Sequence, residues 1–135
     1  MILSSPFLRR AFLADTIFSG LGAIGMTLDA GALATLLNLP EALLRETGLF
    51  LIAYTALVGW LWSRPSVPRL PVLIVIAGNA AWTVASIALL FSGTVSPNLL
   101  GEAAVVAQAI ATGVLAELQY IGLRRSGDTA ATSPL

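Results

Sequence analysis

The chain has 135 residues, of which 57% are hydrophobic and 10% charged, with a mean hydropathy of +0.90, against the roughly 25% charged content of a soluble domain. Seven basic residues balance seven acidic ones, and a net charge of zero offers no clustered basic surface to a phosphate backbone, so nucleic acid is set aside as a partner. With no Cys and no His, disulfides, thiolate nucleophiles, imidazole haem ligation and His-based acid–base catalysis are all removed, and neither a metal nor a cofactor is expected.

Four apolar runs, 11–28, 42–62, 72–91 and 98–123, each match the ~20 helical residues that cross a ~30 Å hydrocarbon core. They predict an all-α fold, an integral membrane four-helix bundle occupying 1–125, with the lipid bilayer as its surroundings.

The N-terminus ends in Arg9 and Arg10, and the first span follows directly. A secretory signal has a similar build, with Ala30, Gly31 and Ala32 near a cleavage point. Asp15 inside the apolar core, and the odd number of spans left after cleavage, favour a retained helix. Gly20-Leu21-Gly22-Ala23-Ile24-Gly25 matches the dinucleotide fingerprint G-x-G-x-x-G. That fingerprint needs a preceding strand and a helix N-terminus, whereas these glycines sit inside an apolar helix, where small residues let backbones approach.

The stretch 30–39 is too short to span and reads as a helical extension or an interfacial piece. Asn38, Pro40 and Glu41 then read as a helix start, with Asn38 as cap. The second span ends in Trp60 and Trp62 before Arg64, the pattern of an interfacial aromatic belt. The link 64–71 carries Pro65, Pro68 and Pro71 and reads as a stiff turn. The third span holds Asn79, Trp82, Thr83 and Ser86. Ser96 is expected to cap the fourth helix, with Pro97 in its first turn. The small, polar tail 126–135 reads as disordered.

Arg9, Arg10, Arg64, Arg69, Arg124 and Arg125 fall on one side and Arg45 on the other, which by the positive-inside rule puts both termini and the middle link in the cytoplasm. The chain is all Arg among its basic residues and rich in Ala, Leu and Gly, a composition expected of a GC-rich bacterium, so the membrane is read as a bacterial inner membrane. Asp15, Phe18 and Ser19 also align with Asn79, Trp82 and Thr83, an echo of the parallel repeats found in some transporters.

At about 1.5 Å per residue, Asp15 lies ~8 Å beyond Arg10, Asn79 ~12 Å beyond Pro71 and Glu117 ~10 Å before Arg124, with Tyr54 slightly deeper. Asp15, Tyr54, Asn79 and Glu117 are therefore expected to form one intramembrane polar layer in the bundle interior, because a carboxylate facing lipid costs several kcal/mol. The layer is either a structural hydrogen-bonded cluster or a site where a buried carboxylate loads and releases a proton or cation. Gln108 lies nine residues before Glu117, on the opposite helix face at about 100° per residue. Gln108, Thr112 and Gln119 thus form a separate stripe expected to face a neighbouring helix or a second protein, in a homo-oligomer or a larger membrane complex.

Together with Glu117-Leu118-Gln119-Tyr120 before Gly122-Leu123-Arg124-Arg125, the sequence resembles small four-span bacterial inner-membrane proteins that carry no assigned activity. The resemblance covers most of the chain and implies no mechanism. Small multidrug exporters are similar in length and span count, with an essential glutamate in the first helix. Here the acid inside that helix is Asp15, nearer the cytoplasmic end, and the aromatic surroundings of that family's motif are missing. The expected function is an accessory or assembly subunit packing against other membrane proteins. Proton-coupled transport of a small molecule through the buried carboxylates is the alternative. An enzyme is disfavoured, since no nucleophile–base pair is visible, and lipid or pigment binding between Tyr54 and Trp82 completes the set.

Overall fold

A computed structural model describes residues 1–128. In chain order the elements are β1 (Ile2–Leu3), α1 (Pro6–Leu28), α2 (Ala30–Leu37), α3 (Glu41–Ser63), β2 (Ser66–Val67), α4 (Arg69–Ser92), α5 (Leu99–Arg124) and β3 (Gly127–Asp128). Four of the helices, α1, α3, α4 and α5, are long and apolar enough to cross a membrane, which supports a multi-pass membrane protein.

Each long helix buries a stripe spaced alternately three and four residues apart, the period that keeps one face of a helix on its neighbours. On α5 the stripe is Val105, Ala109, Thr112, Ala116, Gln119 and Leu123; on α1 it is Leu8, Phe12, Asp15 and Ser19. Helix α1 packs most extensively on α3, α4 on α5, and α1 also contacts α5, whereas α3 and α4 barely touch. The α1–α3 approach depends on small residues: a Cβ at Gly48 would sit 2.6 Å from Thr27 Oγ1 and 2.7 Å from its backbone nitrogen.

The two ends are tied differently. At one end β1 lies between β2 and β3, with Ile2 opposite both Val67 and Asp128, so the start of the chain, the α3–α4 link and the residues after α5 share one end of the bundle. Beneath this small sheet, Ile2, Leu8, Phe12, Val58, Leu61, Val67, Val72, Val75 and Leu123 make one buried apolar cluster. At the other end Asn98 Nδ2 donates to the Leu36 carbonyl at 2.8 Å and Asn98 N to that of Leu37 at 3.2 Å. Gly101 is required there, because a Cβ would collide with the Leu37 carbonyl.

Several expected boundaries shift. Helix α1 begins at Pro6, ahead of the apolar run that starts at 11, because Ser5 accepts from Leu8 N at 3.1 Å and caps it. Pro71 lies in the first turn of α4, where the amide it lacks would have had no intrahelical partner. The α5 cap is Asn98, accepting from Gly101 N at 2.8 Å, and not Ser96. Asn38 ends α2 in the left-handed conformation (φ 54°) instead of opening α3. Of the tail 126–135, Ser126 is held by bonds to Gly122 and Ser5, and residues 127–128 form β3; 129–135 lie outside the described residues.

Candidate intramembrane polar site

Asp15 sits in the second buried turn of the α1 stripe, above Phe12, and is completely buried. Its carboxylate accepts four hydrogen bonds. Ser19 Oγ, one turn along α1, donates to Oδ1 at 2.8 Å. The other three converge on Oδ2: the Tyr54 hydroxyl of α3 at 2.6 Å, Asn79 Nδ2 of α4 at 2.9 Å and Gln119 Nε2 of α5 at 2.7 Å. One carboxylate thereby joins all four long helices.

The donors are themselves ordered. Asn79 Nδ2 also donates to Gln119 Oε1 at 2.9 Å, which uses both of its hydrogens. Reversing either amide would put two oxygens face to face, so the network fixes both orientations. All four neighbours can donate to the carboxylate, two through hydroxyls and two through amide nitrogens. Among the described residues no group of three or more His, Cys, Asp or Glu could hold a metal ion.

A second set of contacts extends along the α4–α5 seam. Thr83 Oγ1 lies 2.7 Å from Thr112 Oγ1 and 2.9 Å from the Ala109 carbonyl, and Trp82 Nε1 donates to Gln108 Oε1 at 2.8 Å. Within α3 the Phe50 ring stacks on Tyr54, one turn along (centroids 6.4 Å), and across the narrow α3–α4 contact it lies nearly parallel to Trp82 (6.1 Å, 4°). Phe50 thus lies against both Tyr54 and Trp82.

The expected layer is thus assembled in three of its four members, Asp15, Tyr54 and Asn79. Glu117 is the exception: it is exposed, and Gln119 takes its place in the interior. The two are about 200° apart around α5 at ~100° per residue, so the helix can bury only one of them, and it buries the neutral amide. Of the two alternatives for the stripe of Gln108, Thr112 and Gln119, the contacts are those of the neighbouring helix: all three bond inside the bundle, to Trp82, Thr83, Asn79 or Asp15. The 3–4 spacing of Ala109, Thr112, Ala116 and Gln119 was the available signal for this rotation.

Glu117 makes no hydrogen bond or ion pair with any described residue; the ion pair present among them joins Arg45 to Glu41. The outer face of α5 around it repeats the same spacing, with Val106, Ile110, Val114 and Ile121 all exposed. The aligned positions Asp15 and Asn79 meet directly at 2.9 Å. Comparison with family models, with curated proteins and with solved structures finds no match to this chain.

Proposed function

We propose that the protein is an accessory subunit of a bacterial inner-membrane complex, which docks on a transmembrane helix of another protein through the outer face of α5. The observation that carries this reading is Glu117, an unpartnered carboxylate in an exposed stripe of Val106, Ile110, Val114 and Ile121. It lies about 10 Å along the helix from Arg124, inside the apolar stretch. A carboxylate at that depth in lipid costs roughly 2.5–3.5 kcal/mol by insertion scales, a cost that a basic side chain from a partner helix removes. Two copies of this chain paired symmetrically through the stripe would bring two carboxylates to one depth, so the occupant is a different protein with Arg or Lys at that level.

The proposed orientation places the sheet of β1, β2 and β3 in the cytoplasm. Six arginines surround that end, whereas Asp29, Glu41, Glu46 and Glu102 lie toward the other with Arg45, the asymmetry the positive-inside rule describes.

A photo-crosslinking residue at Val114, in native membranes, is expected to capture one other membrane protein, and Glu117→Leu is expected to abolish capture while the protein still inserts. Cross-links to lipid or to a second copy alone would reject the reading. Proton-coupled transport through Asp15 is the competing proposal, motivated by a buried carboxylate without a cation beside it. It requires Asp15→Asn to abolish a pH-dependent flux, and unaltered flux would sink it.

A further inference from the structure

The geometry points to a binding site for the phosphate of an anionic phospholipid headgroup, in the hollow between the start of α1 and the end of α3. That hollow measures about 300 Å³ and is lined by Ser4, Pro6, Arg9, Arg10, Leu13 and Trp62.

Two guanidiniums and an indole line one depression at the membrane–water level of the arginine-rich end. Arg9 is held over it by its bond from Nη2 to the Trp62 carbonyl at 3.4 Å, which leaves its other donors unused. Arg10 is exposed and bonds no described residue. No arginine at this end pairs with a carboxylate among the described side chains. Arg64, Arg124 and Arg125 instead lie over the rings of Trp60, Tyr120 and Phe7, and Arg69 lines a separate hollow with Ile2 and Leu123, so Arg9 and Arg10 are the pair that shares one hollow.

Ser4, just before α1, lines the same hollow. The positive end of α1 lies beside it and adds to the attraction. Leu13 and Trp62 border the hollow on the side that continues into the apolar span, where the glycerol and first methylenes of a lipid would lie; a free anion has no use for that contact.

The probe is phosphatidylglycerol against phosphatidylcholine, with the full chain in nanodiscs or mild detergent and retained lipid counted by native mass spectrometry. Phosphatidylglycerol is expected to be retained at least tenfold over phosphatidylcholine. Arg10→Gln, which removes no contact within the bundle, is expected to lower that retention severalfold, and Arg9→Gln with Arg10→Gln to abolish the preference. Arg64→Gln with Arg69→Gln removes the same charge from the same membrane face and is expected to change retention less than twofold. Equal losses from the two pairs would show a diffuse basic surface and overturn the site. Displacement by millimolar inorganic phosphate, with no preference between the two lipids, would overturn it in favour of a free anion.

Discussion

Asn79 and Gln119 bind each other and the same carboxylate oxygen: the Asn79 amide lies 2.9 Å from Gln119 Oε1, and both amide nitrogens reach Asp15 Oδ2, at 2.9 and 2.7 Å. Helices α4 and α5 therefore meet α1 as one unit. Neither amide can turn to another partner without stranding the other.

This linkage predicts strong coupling. Asn79→Ala and Gln119→Ala should each cost about 1–3 kcal/mol, the range for leaving a buried hydrogen-bonding group unpaired. The double variant should cost less than the sum by about 0.5–2 kcal/mol, since the second substitution removes a bond already broken. Unfolding in mixed micelles of the two single variants and the double variant measures the difference. Additive costs would reject the shared network.

Substitution of Asp15 itself separates the worth of its acceptor geometry from that of its charge. Asp15→Asn keeps an acceptor toward Tyr54, Asn79 and Gln119 and turns its new amide hydrogens toward Ser19 Oγ, which accepts as well as it donates. Its cost should stay below about 1.5 kcal/mol, the net worth of a single hydrogen bond. Asp15→Leu removes the acceptor of all four donors together and should cost more than ~3 kcal/mol in the same unfolding measurement. Equal destabilisation by Asn and Leu would show that the negative charge, and not its acceptor geometry, holds the bundle.

Depth was legible in the sequence and rotation was not. Counting ~1.5 Å per residue from the arginines placed Asp15, Tyr54 and Asn79 at a common level because a straight helix converts sequence distance into height without further information. Rotation needs the packing face, and on an Ala-, Leu- and Gly-rich helix the apolar residues run all round. Charge points to Glu117, whereas packing chooses the face on which Ala109, Thr112 and Ala116 let α5 approach its neighbours. The α5 cap is hidden in the sequence for a related reason: Ser96 and Asn98 are both competent, and the choice of Asn98 depends on its side chain reaching the Leu36 carbonyl 62 residues away.

The close approach of α1 and α5 makes a glycine prediction of opposite signs. A Cβ at Gly122 would lie 2.7 Å from Leu8 Cα and 3.0 Å from its nitrogen, backbone atoms that cannot turn aside. Gly122→Ala should destabilise by about 1–3 kcal/mol, the cost of overpacking. Gly25 and Gly78 have nothing within 4 Å of such a Cβ, so alanine there should stabilise the helix by about 0.5–1 kcal/mol. Thermal unfolding of the three variants checks the ordering, and a tolerated Gly122→Ala would contradict the packing of α1 on α5.

Gln108 and Glu117, on opposite faces of α5, should respond to substitution in opposite ways. Gln108 accepts from Trp82 Nε1 at 2.8 Å, so Gln108→Leu leaves a partly buried indole N–H without an acceptor. A loss of about 1 kcal/mol in the isolated protein is expected, with capture of a partner at Val114 unchanged. Glu117 touches nothing among the described residues, so Glu117→Leu should leave the isolated protein's stability within about 0.5 kcal/mol while abolishing that capture. The contrast keeps folding and docking apart: if Glu117→Leu also lowered the melting temperature of the purified protein, Glu117 would belong to the fold, and the outer face of α5 would lose its claim to a partner.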